Sequence, residues 1–263
     1  MRRHRLSRLA IIGALVVGTL VGPPAAQATH SESALLPDLQ MAPPTDFSLE
    51  RRPKGARWLR FETTVVNRGP GAFDVYGFDA GADADGSADG MYDYAVTQRI
   101  QDGAAADGWA EHATPATMFY QGDGHNHWHV EGLQLWQLSF DRTIDNPSDV
   151  LRTGKKIGFC FWDNYRLPGA GDDHYHPSTT SACLKTGTTV PMGLSVGWGD
   201  TYPANIAFQY IDIAGLPNGD YWLTVTADPD GEFLESNESN NVTQVKIRIS
   251  RKGVTVIETP AWP

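Results

Sequence analysis

The chain is poor in cysteine, in positive charge and in helical pattern. It has two cysteines in 263 residues, Cys160 and Cys183. So few exclude the disulfide-dense scaffolds of small secreted domains and the all-thiolate zinc sites, and neither cysteine sits in a Cys-x-x-Cys spacing. Lysine and arginine number 21 against 31 Asp and Glu, for a net charge of −10. A chain this acidic repels a phosphate backbone, which argues against nucleic acid as a partner. The charge suits a cationic small molecule or a lysine-rich partner, or serves solubility alone. No useful length beyond residue 28 carries a 3.6-residue period. The one conspicuous apolar run, Leu9 to Gly22, is short for a membrane span.

That run belongs to an expected export signal at residues 1–28. Arg2, Arg3, Arg5 and Arg8 form a basic start, and Ala26-Gln27-Ala28 supplies the small residues of a cleavage site. The Arg2-Arg3 pair leaves a twin-arginine route open. Taking away the four arginines of this segment leaves 17 basic against 31 acidic side chains, a net −14. The expectation is a secreted protein with no membrane span after cleavage, built as one domain over 29–263. In an oxidising compartment an even pair of cysteines favours a disulfide.

Gly (27) and Pro (17) are plentiful, which favours short strands and many turns. Thr29 to Leu36 reads as a mobile leader, with order starting at Pro37. Segments at 58–67, 72–76, 91–100, 133–140, 156–162, 205–213, 221–227 and 241–250 read as strands. In 156–162, Ile157, Phe159 and Phe161 are expected on one face and Lys156 with Cys160 on the other. Gly197 to Pro203 reads as a turn, and Asn218-Gly219 as a hairpin signal. Asp83, Asp85 and Asp89 lie in a Gly- and Ala-rich stretch read as a solvated loop. His174 and His176 fall in another loop and offer a weaker second metal pair. The fold class is all-β, a β-sandwich with long loops.

The densest chemistry is Gly124-His125-Asn126-His127-Trp128-His129-Val130. Three of the chain's eight histidines sit here at every second position. Side chains of a strand alternate faces, so His125, His127 and His129 share one face if the segment is extended. Imidazole is the commonest ligand for copper and zinc. The pattern says metal, and leaves open which one.

Taken with three further motifs, these histidines make the chain resemble the lysyl oxidase family, copper amine oxidases that carry a lysine tyrosylquinone cofactor. The motifs are Lys156-x-x-Phe159-Cys160, Asp200-Thr201-Tyr202 followed by Ile211-Asp212-Ile213, and the run from Glu235 to Val242 containing Asn240-Asn241. The likeness runs from about Pro37 to Ile249. It implies copper on His125, His127 and His129, and a quinone made from Tyr202 and Lys156. Lys155 is the neighbouring alternative, and the spacing to Cys160 favours Lys156. It implies calcium at Asp38, the Leu39 carbonyl, Glu235, Asn237, Asn240 and Asn241, with Asn237 where the family often has Asp. Gly124 stands where animal members have a cysteine. The short cysteine set looks like the bacterial branch and weakens the expectation of collagen or elastin as substrate.

The implied reaction takes a primary amine, free or on a peptidyl lysine, and molecular oxygen to an aldehyde, ammonia and hydrogen peroxide. Lysine is a cation near neutral pH, so the amine of Lys156 must be desolvated or placed beside a metal to attack a ring. Asp200, two residues before Tyr202, is the candidate base; its other role is to hydrogen-bond the turn that presents Tyr202. Two readings compete. One is a zinc hydrolase with three histidine ligands and an open water position. The other is a non-catalytic adhesive β-sandwich module, which the C-terminal strand pair resembles.

Overall fold

Branched and aromatic residues alternating along 57–67 form the spine of the domain. In the computed structural model, which describes residues 31–79, 94–121, 127–154, 156–175, 183 and 189–262, this segment is the strand Arg57–Asn67. Its first half alternates in burial, and from Thr63 to Asn67 it is buried on both faces. It is central because other strands pair along both of its edges. Leu39–Met41 and Thr45–Arg51 pair along one edge, and Trp198–Tyr202 and Ile211–Asp212 along the other.

Two more antiparallel sheets pack around it. The larger runs in the order Gly158–Phe159, His127–Glu131, Trp109–Gln121, Tyr94–Asp102, Phe73–Phe78, Thr189–Leu194. The other runs Val150–Thr153, Gln134–Ser139, Gly219–Ala227, Val242–Ile249, Val254–Glu258. All three sheets contribute to one apolar core. Among the described residues there is no α-helix, only two 3₁₀ turns at Pro53–Gly55 and Pro147–Asp149. None is long and apolar enough to cross a membrane. The all-β, sheet-on-sheet class expected from the sequence is the class observed.

A chain of edge-to-face rings ties the sheets together. Phe61 meets Trp136 at 5.2 Å, Trp136 meets Phe159 at 6.3 Å, and Phe159 meets Tyr202 at 5.3 Å, with interplanar angles of 70°, 85° and 89°. This is the arrangement that ring quadrupoles favour. The four rings come from the central, the five-stranded, the histidine-bearing and again the central sheet.

Several local expectations are corrected. Residues 31–36 are not a loose leader: Ala34–Leu35 pairs with Gln101 and Asp102, and Ser31 and Ser33 both donate to the Asp102 carboxylate. Residues 205–213 are mostly a loop, with only Ile211–Asp212 extended. Arg60 holds that loop by donating to the carbonyls of Ala204, Ile206 and Gln209. Residues 198–202 are a strand rather than a turn; the turn is at Val196 and Gly197, and the φ of 80° at Gly197 suits glycine. Ile157 is 53% exposed, away from the fully buried Phe159 and Phe161, because only Gly158–Phe159 of that segment is extended. Asn218-Gly219 leads into Gly219–Ala227 but makes no hairpin, since the preceding strand pairs with the central one. Trp109–Gln121, Thr189–Leu194 and Val254–Glu258 are strands that the pattern did not reveal. Asp83, Asp85 and Asp89 lie outside the described residues.

Gly199 lets Trp198–Tyr202 lie against the central strand, since an added Cβ would meet the Val65 carbonyl oxygen and the Val66 side chain. Gly199→Ala is expected to destabilise the fold by about 1–3 kcal/mol through overpacking. Denaturant unfolding measures this, and an unchanged midpoint would refute the close approach.

Candidate active site

The strand His127–Glu131 pairs with Met118 to Gln121 on one side and with Gly158–Phe159 on the other. His127 and His129 therefore share a face, with ring centroids 4.4 Å apart. His129 is buried and His127 partly exposed. Trp128 points to the opposite face, against Tyr94 at 4.1 Å. His125 lies outside the described residues, as do Lys155 and His176. His174 is exposed and does not line the cavity that holds His127 and His129.

The register Phe159↔Val130 draws the Lys156 segment alongside the histidines. Gly158 permits this, because a Cβ there would sit 2.9 Å from the Cβ of His129. Lys156 is buried, and its Nζ lies 5.3 Å from the centroid of the Tyr202 ring and 5.2 Å from that of Phe159. The Tyr202 hydroxyl donates to the Cys160 carbonyl at 2.8 Å, and Asp200 is a competing acceptor for the same proton. His127, His129, Lys156, Asp200 and Tyr202 all line one cavity of about 440 Å³.

The disulfide predicted for Cys160 and Cys183 is formed. Its two residues also serve the site through their backbones. The carbonyl of Cys160 holds Tyr202, and that of Cys183 accepts from the Trp128 N–H at 2.9 Å.

Asp200 is buried, and that burial pushes its carboxyl well above the usual range. Hydrogen bonds from Tyr202 and Asn164 and the charge of Lys156 pull the other way without offsetting it. Burial, then the neighbouring Asp200, also raise the Tyr202 hydroxyl.

Asp163 and Asn164 were missed from sequence. The Asn164 amide donates to Asp200 Oδ1, and its oxygen accepts from the Thr201 N–H at 2.7 Å. Asp163 is buried and takes the N–H groups of Ser195, His174 and Tyr175 together with the Ser195 hydroxyl. The only signal of this was an Asp-Asn pair directly after an aromatic stretch.

A second cluster joins the two ends of the described chain. The Leu39 N–H donates to Glu235 Oε2, Asn241 donates to Glu235 Oε1 at 2.7 Å, and Asn240 donates to Asp38 Oδ2 at 3.2 Å. Three buried oxygens there, Asp38 Oδ1, Asn240 Oδ1 and Asn241 Oδ1, have no hydrogen-bond partner among the described residues. Burial pushes Glu235 up to about 8. Orphaned oxygens beside carboxylates make a donor set suited to a hard cation. Asn237 stays apart, its oxygen accepting from the N–H and hydroxyl of Ser239. Asp228 and Glu238, not singled out from sequence, place carboxylate oxygens within 4.8 Å of Glu235 and of each other.

Two imidazoles, a buried lysine and a buried tyrosine thus meet at one cavity of an all-β domain. Residues 96–259 match the model of the lysyl oxidase family, and the chain belongs to that family. It is 30% identical over 158 residues to protein-lysine 6-oxidase of Sus scrofa, covering 60% of this chain and 58% of that protein. The Homo sapiens protein of the same name is likewise 30% identical over 158 residues, covering 35% of its length. Lysyl oxidase homolog 2A of Danio rerio is 34% identical over 122 residues, 46% of this chain and 15% of the relative. The chain thus spans less than two thirds of these relatives.

Asn164→Ala removes the partner of Asp200 Oδ1 and of the Thr201 N–H. The expected cost is about 1–3 kcal/mol, the usual penalty for stranding buried polar groups. Urea unfolding tests it, and a loss below a few tenths would show that water replaces the amide.

Proposed function

We propose that this chain is an exported, copper-dependent amine oxidase. It takes primary amines, small ones or peptidyl lysine, and molecular oxygen to aldehydes, with release of ammonia and hydrogen peroxide. The observation that carries this reading is the meeting of His127, His129, Lys156, Asp200 and Tyr202 at one cavity, in a member of the lysyl oxidase family. Residues 1–28 serve as the export signal.

His127 and His129, with His125 two residues earlier in the chain, are the copper ligands, and their nitrogen donors suit that metal. Bound copper and the quinone built from Lys156 and Tyr202 supply the oxygen chemistry and the electron sink that an amine oxidation needs. The protein's own residues do the placing. Phe159 fixes the Tyr202 ring edge-on, and the Cys160 carbonyl anchors its hydroxyl. The Lys156 amine is held over the face of that ring, at a buried position. Asp200 is the base for the substrate carbon, and a carboxyl with a raised pKa binds a proton more readily near neutrality. Asn164 aims it. Asp38, Glu235, Asn240 and Asn241, with Leu39 beside them, hold calcium, and the three orphaned oxygens support that assignment. Asn237 contributes through its turn, since its side chain is already engaged.

Loading the chain with copper in air is expected to give a Lys156–Tyr202 cross-link by mass spectrometry and a quinone stain. Lys156→Arg should lose both, along with amine-dependent peroxide. A colourless, zinc-only protein without the cross-link would instead favour the hydrolase reading. Calcium at one hundred times its dissociation constant should add about 2.7 kcal/mol to unfolding. Asp38→Ala should abolish that gain, and a calcium-independent melting curve for the parent chain would remove the calcium site.

A further inference from the structure

A cavity of about 810 Å³ lies apart from the one holding the histidines. Arg68 lines it, and part of its wall is apolar, from Trp109, Leu167, Pro168 and Val196. The arginine is unusual. Its Nε and Nη2 are both buried and have no hydrogen-bond partner among the described residues. These two atoms form one edge of the guanidinium, the edge that takes a carboxylate through two parallel hydrogen bonds. Leaving such donors buried and unmet is costly. Trp262 covers the flat face of the group at 4.6 Å, and its own indole Nε1 is likewise buried and unmet among the described residues.

The other charges on the wall do not answer Arg68. Asp74 is held by Arg99 at 2.7 and 2.9 Å and accepts from the Tyr175 hydroxyl at 2.6 Å. Asp172 is exposed at the rim. A further stretch of wall, His174 to Tyr175 and Ser195, is pinned by Asp163, so the cavity is preformed rather than a gap between loose loops.

We propose that this cavity binds a small organic carboxylate, with its apolar body against Trp109, Leu167 and Val196 and its oxygens on the Nε–Nη2 edge of Arg68. Binding requires the guanidinium to turn, since that edge is buried in this structure. The site is separate from the proposed copper centre, and its occupancy does not depend on the amine oxidase reading.

The test is equilibrium binding of phenylacetate to the copper-loaded full chain, followed by tryptophan fluorescence and calorimetry. Phenylacetamide, of the same shape but neutral, and inorganic phosphate are the comparison ligands. Phenylacetate is expected to bind saturably and at least tenfold more tightly than either. Arg68→Gln should erase the preference over the amide. Val196→Phe, a change at a half-exposed position that fills the cavity, should block binding while leaving the thermal midpoint near that of the parent. Equal affinity for acid and amide, a phosphate affinity matching phenylacetate, or an undiminished preference in Arg68→Gln would overturn the proposal. So would an absence of saturable binding.

Discussion

The ring chain Phe61–Trp136–Phe159–Tyr202 is the constraint on which the rest of the molecule depends. Each sheet contributes to it, and each contact is edge to face. Sheets that merely stack face to face can slide. Rings that interlock at 70° to 89° fix how the histidine-bearing sheet stands relative to the strand that carries Tyr202. The last ring is itself the candidate cofactor residue, so the packing of the core and the placing of the chemistry are one event.

Around that core, buried polar groups do what apolar packing cannot. Asn164 and Asp163 are adjacent but serve different neighbours. The first orients Asp200, and the second pins the 174–175 stretch and Ser195. Tyr175 passes the connection on to Asp74 and Arg99. A satisfied buried network of this kind is rigid, and rigidity is what a pre-organised site requires. The disulfide adds to it through backbone carbonyls rather than through its sulfurs, holding Tyr202 from one half and the histidine strand from the other.

Much of the fold was legible because half-buried strands leave a two-residue trace. Residues 57–62 show it in their burial, and Tyr221, Leu223, Val225 and Ala227 show it in the sequence. Trp109–Gln121 hides it behind Pro115 and exposed polar positions, and Thr189–Leu194 behind Pro191 and Gly193. Glycine misled in the other direction at 197–199. Gly199 marks not a turn but a place where two backbones press together. The 205–213 segment read as a strand, but its Ile206 and Gln209 carbonyls are capped by Arg60, a partner 146 and 149 residues away that no local pattern reports. At the site, the histidine spacing announced itself. Lys156 and Tyr202 did not: either alone is an ordinary residue, and only the family likeness singled them out. Arg68 carries no local mark at all and Asn164 only the aromatic stretch before it, since what distinguishes them is whom they face.

The hydrogen bonds joining Leu39 to Glu235 and Met41 to Thr243 span 196 and 202 residues of chain. The early strands therefore cannot be sealed until the late ones exist. A ribosome releasing this polypeptide from its front end would deliver an unfinished sheet, with open edges, for most of the journey. Assembly governed by such distant partners is slow. The protein's most vulnerable interval is thus the time before its tail arrives, and slowing synthesis gives the leading half no chance to settle alone.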